Sequence, residues 1–147
     1  MTALATGRYI TSDDLYNQFG TTNINVWSNL DGTAVSPNVD RLVTAIAYGE
    51  AAVENRFRRS RYAVPFVRGN APGGGWDPML IDWMSVLAGV WLYRGRRMRQ
   101  GDTPNDNVLS GLLAKTGAEM NDVLAGKYTL PLGMRRGDSP DSPFALD

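Results

Sequence analysis

Apolar residues recur at helical spacing in three long stretches of the chain. In the first, between residues 36 and 60, the 3.6-residue period of an α-helix places a set of apolar residues on one face: Val39, Leu42, Val43, Ile46, Val53 and Phe57. Ser36 as N-cap and Pro37 at the first helical position predict where this helix begins. Glu50 falls on the same stripe. A buried carboxylate needs a partner, so we expect Glu50 to pair with an arginine, to lie near an end of the bundle or to mark a subunit contact, and we favour the pair.

The second stretch, residues 79–99, is apolar nearly all round as far as Tyr93, which predicts the central and most buried helix. Gly89 lowers helix propensity inside it, so we expect another backbone to approach closely there. The most apolar run, residues 79–93, contains Asp82 and is shorter than the roughly 20 residues that span a bilayer. It therefore predicts a helix buried in protein, and no membrane is expected as a partner.

The third stretch carries an amphipathic stripe that ends at Gly126. Its apolar members are Val108, Leu109, Leu112, Leu113, Met120, Val123 and Leu124. The second and third helices share a start signal, in which an N-cap residue is followed by proline: Asp77 with Pro78, and Thr103 with Pro104. The sequence therefore predicts three long helices.

A short helix is predicted before them, over residues 12–19. Thr11 and Asp14 have the spacing of a capping box, and Gly20 suits the C-terminal stop. Residues 21–35 show no sustained period, so we expect a connecting loop there, pinned by a few apolar anchors.

The predicted fold class is all-α, a small bundle of three long helices plus a short N-terminal helix. We divide the chain into a helical domain, residues 1–132, and a flexible C-terminal tail, residues 133–147, which is rich in Pro, Ser and Asp. The glycine-rich stretch "RGNAPGGGWDP" separates the first two long helices. It lacks the Lys-Ser/Thr of a P-loop and follows no predicted strand, so we interpret it as a flexible connector rather than a phosphate-binding loop.

Two short phrases resemble each other, "RYAVPF" at residues 61–66 and "KYTLPL" at residues 127–132. Each follows a predicted long helix. We expect the tyrosine to pack against the helix end and the proline to hold the following chain extended, so that both segments lead outward to partners. The predicted subunit or partner contacts are Trp76, Arg68, Tyr62 and Tyr128.

The chain has 15 basic and 15 acidic residues, no His and no Cys. This composition excludes Ser-His-Asp, Cys-His and HExxH catalysis, thiolate zinc sites and disulfides. We therefore predict that the protein is not an enzyme, with no catalytic, metal-binding or cofactor-binding residue and no cofactor. The balanced charge also argues against binding nucleic acid through whole-molecule attraction.

Arginine is concentrated in "RFRRSR" and "RGRRMR", near the ends of the first two long helices. One interpretation is that these cations stabilise helix C-termini and keep the bundle soluble. The other is that they contact DNA phosphate or an acidic protein partner, which would suit a small helical DNA-binding or regulatory module. Both interpretations remain open. The candidate contacts are Arg56, Arg58, Arg59, Arg61, Arg96, Arg97 and Arg99.

Four motifs together resemble a known family: "YITSDDLYNQFG", "RYAVPF", an apolar helix with "WLYRGRR", and "VLAGKYTLPL". Over residues 9–132 they are similar to the Mu-like phage proteins grouped as a domain of unknown function, and to the wider group of helical head-tail connector, or head-completion, proteins of tailed phages and prophages. The chain departs from that pattern in its longer glycine-rich loop, in "TS" where the family often has Thr-Pro, and in the arginine-rich end of the first long helix. These departures leave open whether it is an adaptor, a stopper or another neck component.

The resemblance implies a structural function in the virion, at the head-tail interface, after assembly in the host cytoplasm. Such adaptors form a ring, commonly of twelve copies, beneath the portal protein, and join it to the stopper or tail-completion protein. DNA passes through the ring without sequence-specific binding. An extended C-terminal segment of such adaptors often docks on the portal, so the resemblance assigns that role to the tail. The corresponding residues are Arg135, Arg136, Phe144 and Leu146.

Overall fold

The computed structural model describes residues 3–30, 36–68, 75–100 and 106–134. Within these ranges the chain forms five helices and no strand: α1 (Ser12–Phe19), α2 (Thr21–Trp27), α3 (Val39–Phe57), α4 (Pro78–Gln100) and α5 (Asp106–Leu124). The all-α prediction is confirmed, and the long helices α3, α4 and α5 lie where the apolar period predicts them. The start signal for α5, at residues 103–104, lies outside the described residues. Among the described helices, none combines the length and the apolar character needed to cross a membrane.

The loop predicted over residues 21–35 is wrong for its first half, where α2 forms. Gly20, with φ of 89°, joins α1 directly to α2. Its N–H donates to the carbonyl of Tyr16 at 2.8 Å, and its carbonyl accepts from the N–H of Ile24 at 3.1 Å. Ile24 and Trp27 are the buried residues of α2. Two buried positions in one short helix are too few to produce a visible period in the sequence.

The predicted start signals of α1 and α4 are confirmed. In the capping box of α1, the Thr11 hydroxyl accepts from the N–H of Asp13 at 3.2 Å, and the Asp14 carboxylate accepts from the N–H of Thr11 at 2.8 Å. At the start of α4, the Asp77 carboxylate accepts from the N–H of Met79 at 3.0 Å. These starts were predictable because each depends only on residues adjacent in sequence.

The start of α3 differs from the prediction, since its N-cap is Asn38 rather than Ser36. The N–H of Asn38 donates to the hydroxyl of Ser28 at 2.9 Å, and the residue keeps extended backbone angles, φ −85° and ψ 101°. A tertiary hydrogen bond therefore holds the chain extended until this point. Val39 and Val43 are exposed, so the buried stripe of α3 is narrower than predicted.

As predicted, α4 is the central helix, and it contacts each of the other four. Its most buried side chains include Leu80, Trp83, Met84, Val86, Leu92 and Tyr93. The close backbone approach predicted at Gly89 is wrong, because a Cβ atom there would meet the ring of Phe19 at 2.0 Å. Backbones meet at Gly49 of α3 instead, where a Cβ atom would lie 2.4 Å from the carbonyl oxygen of Met84.

Glu50, on the inner face of α3, is paired as predicted, but its partners are backbone amides rather than an arginine. Its carboxylate accepts from the N–H groups of Arg8 at 3.2 Å, Tyr9 at 2.6 Å and Ile10 at 3.1 Å. Only 8% of Glu50 is exposed. The carboxylate thereby anchors the segment before α1 to the middle of α3.

The segments that follow α3 and α5, residues 61–68 and 128–134, contact each other, and we call them the paired exits. Isolated antiparallel bridges join Tyr62 to Met134 and Arg68 to Leu132. The N–H of Ala63 donates to the carbonyl of Gly133 at 2.9 Å, and the N–H of Gly133 donates to the carbonyl of Val67 at 2.7 Å. The N–H of Leu130 donates to the Tyr62 hydroxyl at 2.9 Å.

The prediction that both exits lead outward is therefore wrong for residues 61–68 and 128–134. Extended chain beyond a helix end leaves backbone donors and acceptors that need partners, and here each exit supplies them to the other. The predicted packing of the tyrosine is confirmed for Tyr62, which is fully buried, and wrong for Tyr128, which is 57% exposed. The peptide bond between Val64 and Pro65 is cis. Residues 135–147, most of the predicted tail, lie outside the described residues.

Candidate functional site

The C-terminal ends of α3 and α5 frame a groove of about 400 Å³. Three arginines of "RFRRSR" contribute to it, and none of the residues that line it is acidic. We call it the basic groove, and its lining residues are Arg56, Arg59, Ser60, Arg61, Tyr62, Val123 and Leu124. The groove thus gathers part of one arginine cluster beside apolar side chains of another helix.

A hydrogen-bonded turn after α3 shapes one side of the basic groove. The Ser60 hydroxyl donates to the carbonyl of Phe57 at 2.6 Å and accepts from the N–H of Tyr62 at 3.1 Å. The ring of Tyr62 lies 5.8 Å from that of Phe57, centroid to centroid, inside the core. The buried tyrosine fixes the turn, so Arg59 and Arg61 extend from a backbone that is held at both ends.

A Schellman motif ends α5 on the other side. Gly126 has φ of 88°, a left-handed conformation that glycine adopts without strain. Its N–H donates to the carbonyl of Val123 at 3.0 Å, and the N–H of Lys127 donates to the carbonyl of Asp122 at 2.9 Å. This termination leaves Val123 and Leu124 as the last residues of α5 to face the groove.

The three arginines of the basic groove differ in how many of their donors are used. Arg56 donates to the side-chain oxygen of Asn121 on α5. Arg61 donates through Nη2 to the carbonyl of Tyr128 at 3.2 Å, but its Nε is buried without a hydrogen-bond partner among the described residues. Arg59 is exposed and has neither an ion pair nor a hydrogen bond within the described part of the chain.

These contacts bear on the two interpretations of the arginines. The first interpretation, in which the arginines stabilise helix C-termini, accounts for Arg56 in the last turn of α3. It also accounts for the bond from Arg61 to a carbonyl that follows α5. It does not account for Arg59, whereas the guanidinium of Arg61 also lies over the Tyr62 ring, 5.4 Å from its centroid. Arg58, the other member of the cluster, lies outside the groove and donates to Asn55 at 2.9 Å.

The second arginine cluster lies at the C-terminal end of α4, away from the basic groove. Arg96 donates through Nη1 to the carbonyls of Val26 at 3.2 Å and Asn29 at 2.7 Å. It therefore binds the C-terminal end of α2, which a DNA or partner contact would have to displace. The side chains of Arg97 and Arg99 lie outside the described residues.

The predicted subunit contacts occupy different environments. Tyr62 is fully buried, so it is unavailable to a partner. Trp76 is half-buried, with its ring 4.7 Å from that of Tyr9 and the guanidinium of Arg68 5.1 Å from its centroid. Tyr128 is exposed. The portal-binding residues predicted in the tail, Arg135, Arg136, Phe144 and Leu146, lie outside the described residues.

A second groove, of about 300 Å³, lies between α1 and α4 and includes Asp14, Asp82 and Ser85. Burial raises the pKa of Asp82 above its ordinary value, the charge of nearby Glu119 adds to this, and Lys115 opposes it. The Ser85 hydroxyl is buried with no hydrogen-bond partner among the described residues. Within those residues, no group of three metal-ligating side chains comes together here or elsewhere.

Sequence reasoning identified the arginines of the basic groove but not its apolar side. The apolar stripe of α5 predicts that Val123 and Leu124 are both buried; this is confirmed for Val123, but Leu124 is 37% exposed. The only signal for the groove was the repeated phrase, since two similar exits from two helices suggest that the helix ends lie together. From the sequence alone, however, the repeated phrase predicts that the two exits lead outward separately.

Comparison with protein-family models, with curated proteins and with solved structures gives no match for this chain. The resemblance to head-tail connector proteins therefore rests on the four sequence motifs alone.

Proposed function

We propose that this chain is a non-enzymatic head-tail connector protein of a tailed phage or prophage. In this proposal, copies of the helical subunit assemble beneath the portal protein and join the DNA-filled capsid to the stopper or tail. The observation that supports it is that the motifs behind the family resemblance contact one another in the fold.

The first and second motifs meet at Tyr9. Its hydroxyl donates to the carboxylate of Glu54 at 2.8 Å and accepts from the N–H of Phe66 at 2.9 Å, and its ring lies 5.6 Å from that of Phe66. The beginning of "YITSDDLYNQFG" is thus bound to the end of "RYAVPF". Phe19, later in the first motif, packs at Gly89 of α4, just before "WLYRGRR".

The second and last motifs meet at the paired exits, through the bond from Leu130 to the Tyr62 hydroxyl. All four motifs therefore take part in one set of tertiary contacts. The four motifs thus belong to one folded unit with one core, as a family pattern requires. This supports a shared fold with the connector family, and the connector function comes with that family.

The decisive experiment is co-expression of the full chain with the portal protein of the same phage or prophage. The proposal predicts co-purification and a complex with several copies of the chain per portal ring, measured by native mass spectrometry and cryo-electron microscopy. A chain that stays separate from the portal under all assembly conditions would contradict it. A monomer in the absence of portal is compatible with the proposal, because portal can act as the template for the ring.

A deletion of residues 135–147 tests the role of the tail and leaves Gly133 and Met134 in the paired exits. We expect the circular dichroism spectrum and melting temperature to be retained and portal attachment to be lost. Unchanged attachment would remove the tail from the proposal. Loss of folding would show instead that the tail belongs to the helical domain.

A further inference from the structure

We propose that the basic groove binds an acidic, partly apolar segment of another protein. In this complex, carboxylates of the segment contact Arg59 and Arg61, and an adjoining apolar side chain packs against Leu124, which is 37% exposed. This inference does not rest on the connector function, because it follows from the groove alone.

The first argument is the supply of unused donors. A guanidinium has five N–H groups arranged to bind a carboxylate in a bidentate manner. All those of Arg59 are without a partner in the described residues, and Arg59 is exposed. Arg59 therefore offers its complete set of donors to a carboxylate, and the guanidinium of Arg61 belongs to the same groove lining.

The second argument is charge. The C-terminal end of a helix carries about half a negative charge, so α3 and α5 together place about one negative charge near three guanidinium groups. No acidic side chain lines the groove to balance the remainder. The groove therefore keeps a net positive charge, and the backbone around it is ordered. Such a site favours an anionic ligand over a cationic or neutral one.

The third argument favours a protein segment over nucleic acid. Leu124, which is 37% exposed, gives the groove an apolar surface, which a phosphate backbone does not use and an apolar side chain does. Nucleic-acid binders commonly have a basic stripe and a strongly basic domain. This chain has a formal net charge of zero, and Arg96 of the other cluster is bound to α2 at the far end of α4.

The test is a binding titration of the full-length protein with a fluorescent synthetic peptide in which aspartates flank a leucine. A matched peptide with asparagine in place of aspartate reports any purely apolar binding. We expect saturable binding of the aspartate peptide that weakens as salt rises, and no binding of the asparagine peptide. No binding of the aspartate peptide up to about 1 mM, or equal binding of both peptides, would overturn the proposal.

Arg59→Gln and Arg58→Gln provide a matched pair of variants. Both arginines are exposed at the end of α3, but only Arg59 lines the groove. Because Arg59 has no partner in the described structure, its replacement should leave the fold intact, as checked by circular dichroism. We expect Arg59→Gln to weaken peptide binding about tenfold and Arg58→Gln to leave it unchanged. Equal effects of the two variants would show general attraction and overturn the proposal.

Nuclear magnetic resonance of arginine side chains tests contact at the groove guanidinium groups directly. The Nε–H signal of Arg61 should shift on addition of the aspartate peptide, and that of Arg58 should not. A duplex DNA of mixed sequence is the competing probe. If DNA shifts the Arg61 signal at lower concentration than the peptide does, the ligand is nucleic acid and the proposal is wrong. Failure here would leave portal co-purification unaffected, so the two proposals are separable.

Discussion

Glu50 and Arg96 perform comparable tasks with opposite charge in two parts of the molecule. Glu50 accepts three backbone N–H groups from residues 8–10, and Arg96 donates to the backbone carbonyls of Val26 and Asn29. Each side chain extends from a long helix and holds a segment from the N-terminal part of the chain. The main difference is burial, because Tyr9 and Ile10 are buried whereas Val26 and Asn29 are partly exposed.

Because of this difference in burial, losing the same kind of hydrogen bond has unequal consequences at the two sites. If Glu50 is removed, the amides of Tyr9 and Ile10 face the protein interior and find no water. If Arg96 is removed, water reaches the carbonyls at the end of α2 and replaces part of the lost bonding. The cost of losing either side chain is therefore set by what else can bind the backbone group, more than by the number of bonds.

The largest expected effect is that of Glu50→Leu. It leaves three backbone donors without an acceptor, so we expect unfolding in urea to require about 3 to 5 kcal/mol less free energy. Glu50→Gln keeps one side-chain acceptor oxygen and should be less destabilising. A leucine variant as stable as the original protein would show that the site is simply apolar and that the contrast with Arg96 does not hold.

Arg96→Met should destabilise the fold by about 1 to 3 kcal/mol, since hydrogen bonds from a charged donor are lost while the aliphatic part of the side chain is kept. Thermal unfolding followed by tryptophan fluorescence measures this. Arg94→Met is the control. Arg94 is exposed, lies about half a helical turn before Arg96 on α4, and has no hydrogen bond among the described residues. A larger loss from Arg96→Met than from Glu50→Leu would reverse the comparison.

Tyr62→Phe extends the comparison to an uncharged side chain, because the Tyr62 hydroxyl is the acceptor for a backbone N–H. The ring still fills its place, but the N–H of buried Leu130 loses its acceptor. We expect a loss of about 1 to 2 kcal/mol in urea unfolding. Tyr128→Phe, in the exposed tyrosine of the second exit, should change stability by less than about 0.5 kcal/mol. Similar losses for both tyrosines would mean that the exits do not pair in solution.

Asp82 is a carboxylate that, unlike Glu50, has no hydrogen-bond donor among the described residues, and its pKa is raised mainly by burial. A raised folded-state pKa means that the neutral form favours folding. That contribution is complete below the unfolded value and is lost as pH rises through the folded value. Asp82→Asn should therefore stabilise the protein at neutral pH, by less than about 1 kcal/mol because the group is partly exposed, and have little effect near pH 3.

Melting temperatures of Asp82→Asn and the original protein across the acid range would check this pH dependence. A variant that is less stable at neutral pH would indicate that attraction between Asp82 and Lys115 exceeds the cost of burial. In that case Asp82 would resemble Glu50 as a satisfied carboxylate.

Features that depend on neighbouring residues were predictable from the sequence. The long helices follow from the apolar period, and the starts of α1 and α4 follow from Thr11, Asp14 and Asp77. The burial of α4 follows from its composition. Each of these depends on residues within a few positions of one another, where the geometry of the helix alone fixes the contacts.

Features that depend on distant contacts were missed. The start of α3 depends on Ser28, the role of Gly89 depends on Phe19, and the partners of Glu50 come from a segment about forty residues earlier. The basic groove was half predicted, because its arginines form a visible cluster but the position of α5 beside them does not follow from any local pattern. The repeated phrase indicated that the exits are related, without indicating that they are partners.

The paired exits also determine which parts of the molecule open together. Leu130 bonds to Tyr62 across 68 residues, so the chain between them, including α4 and α5, is closed into a loop. Opening either exit releases the backbone bonds of the other. The amides of Ala63 and Gly133 should therefore show one common free energy of opening in hydrogen exchange, so that two short non-helical segments act as a single cooperative unit.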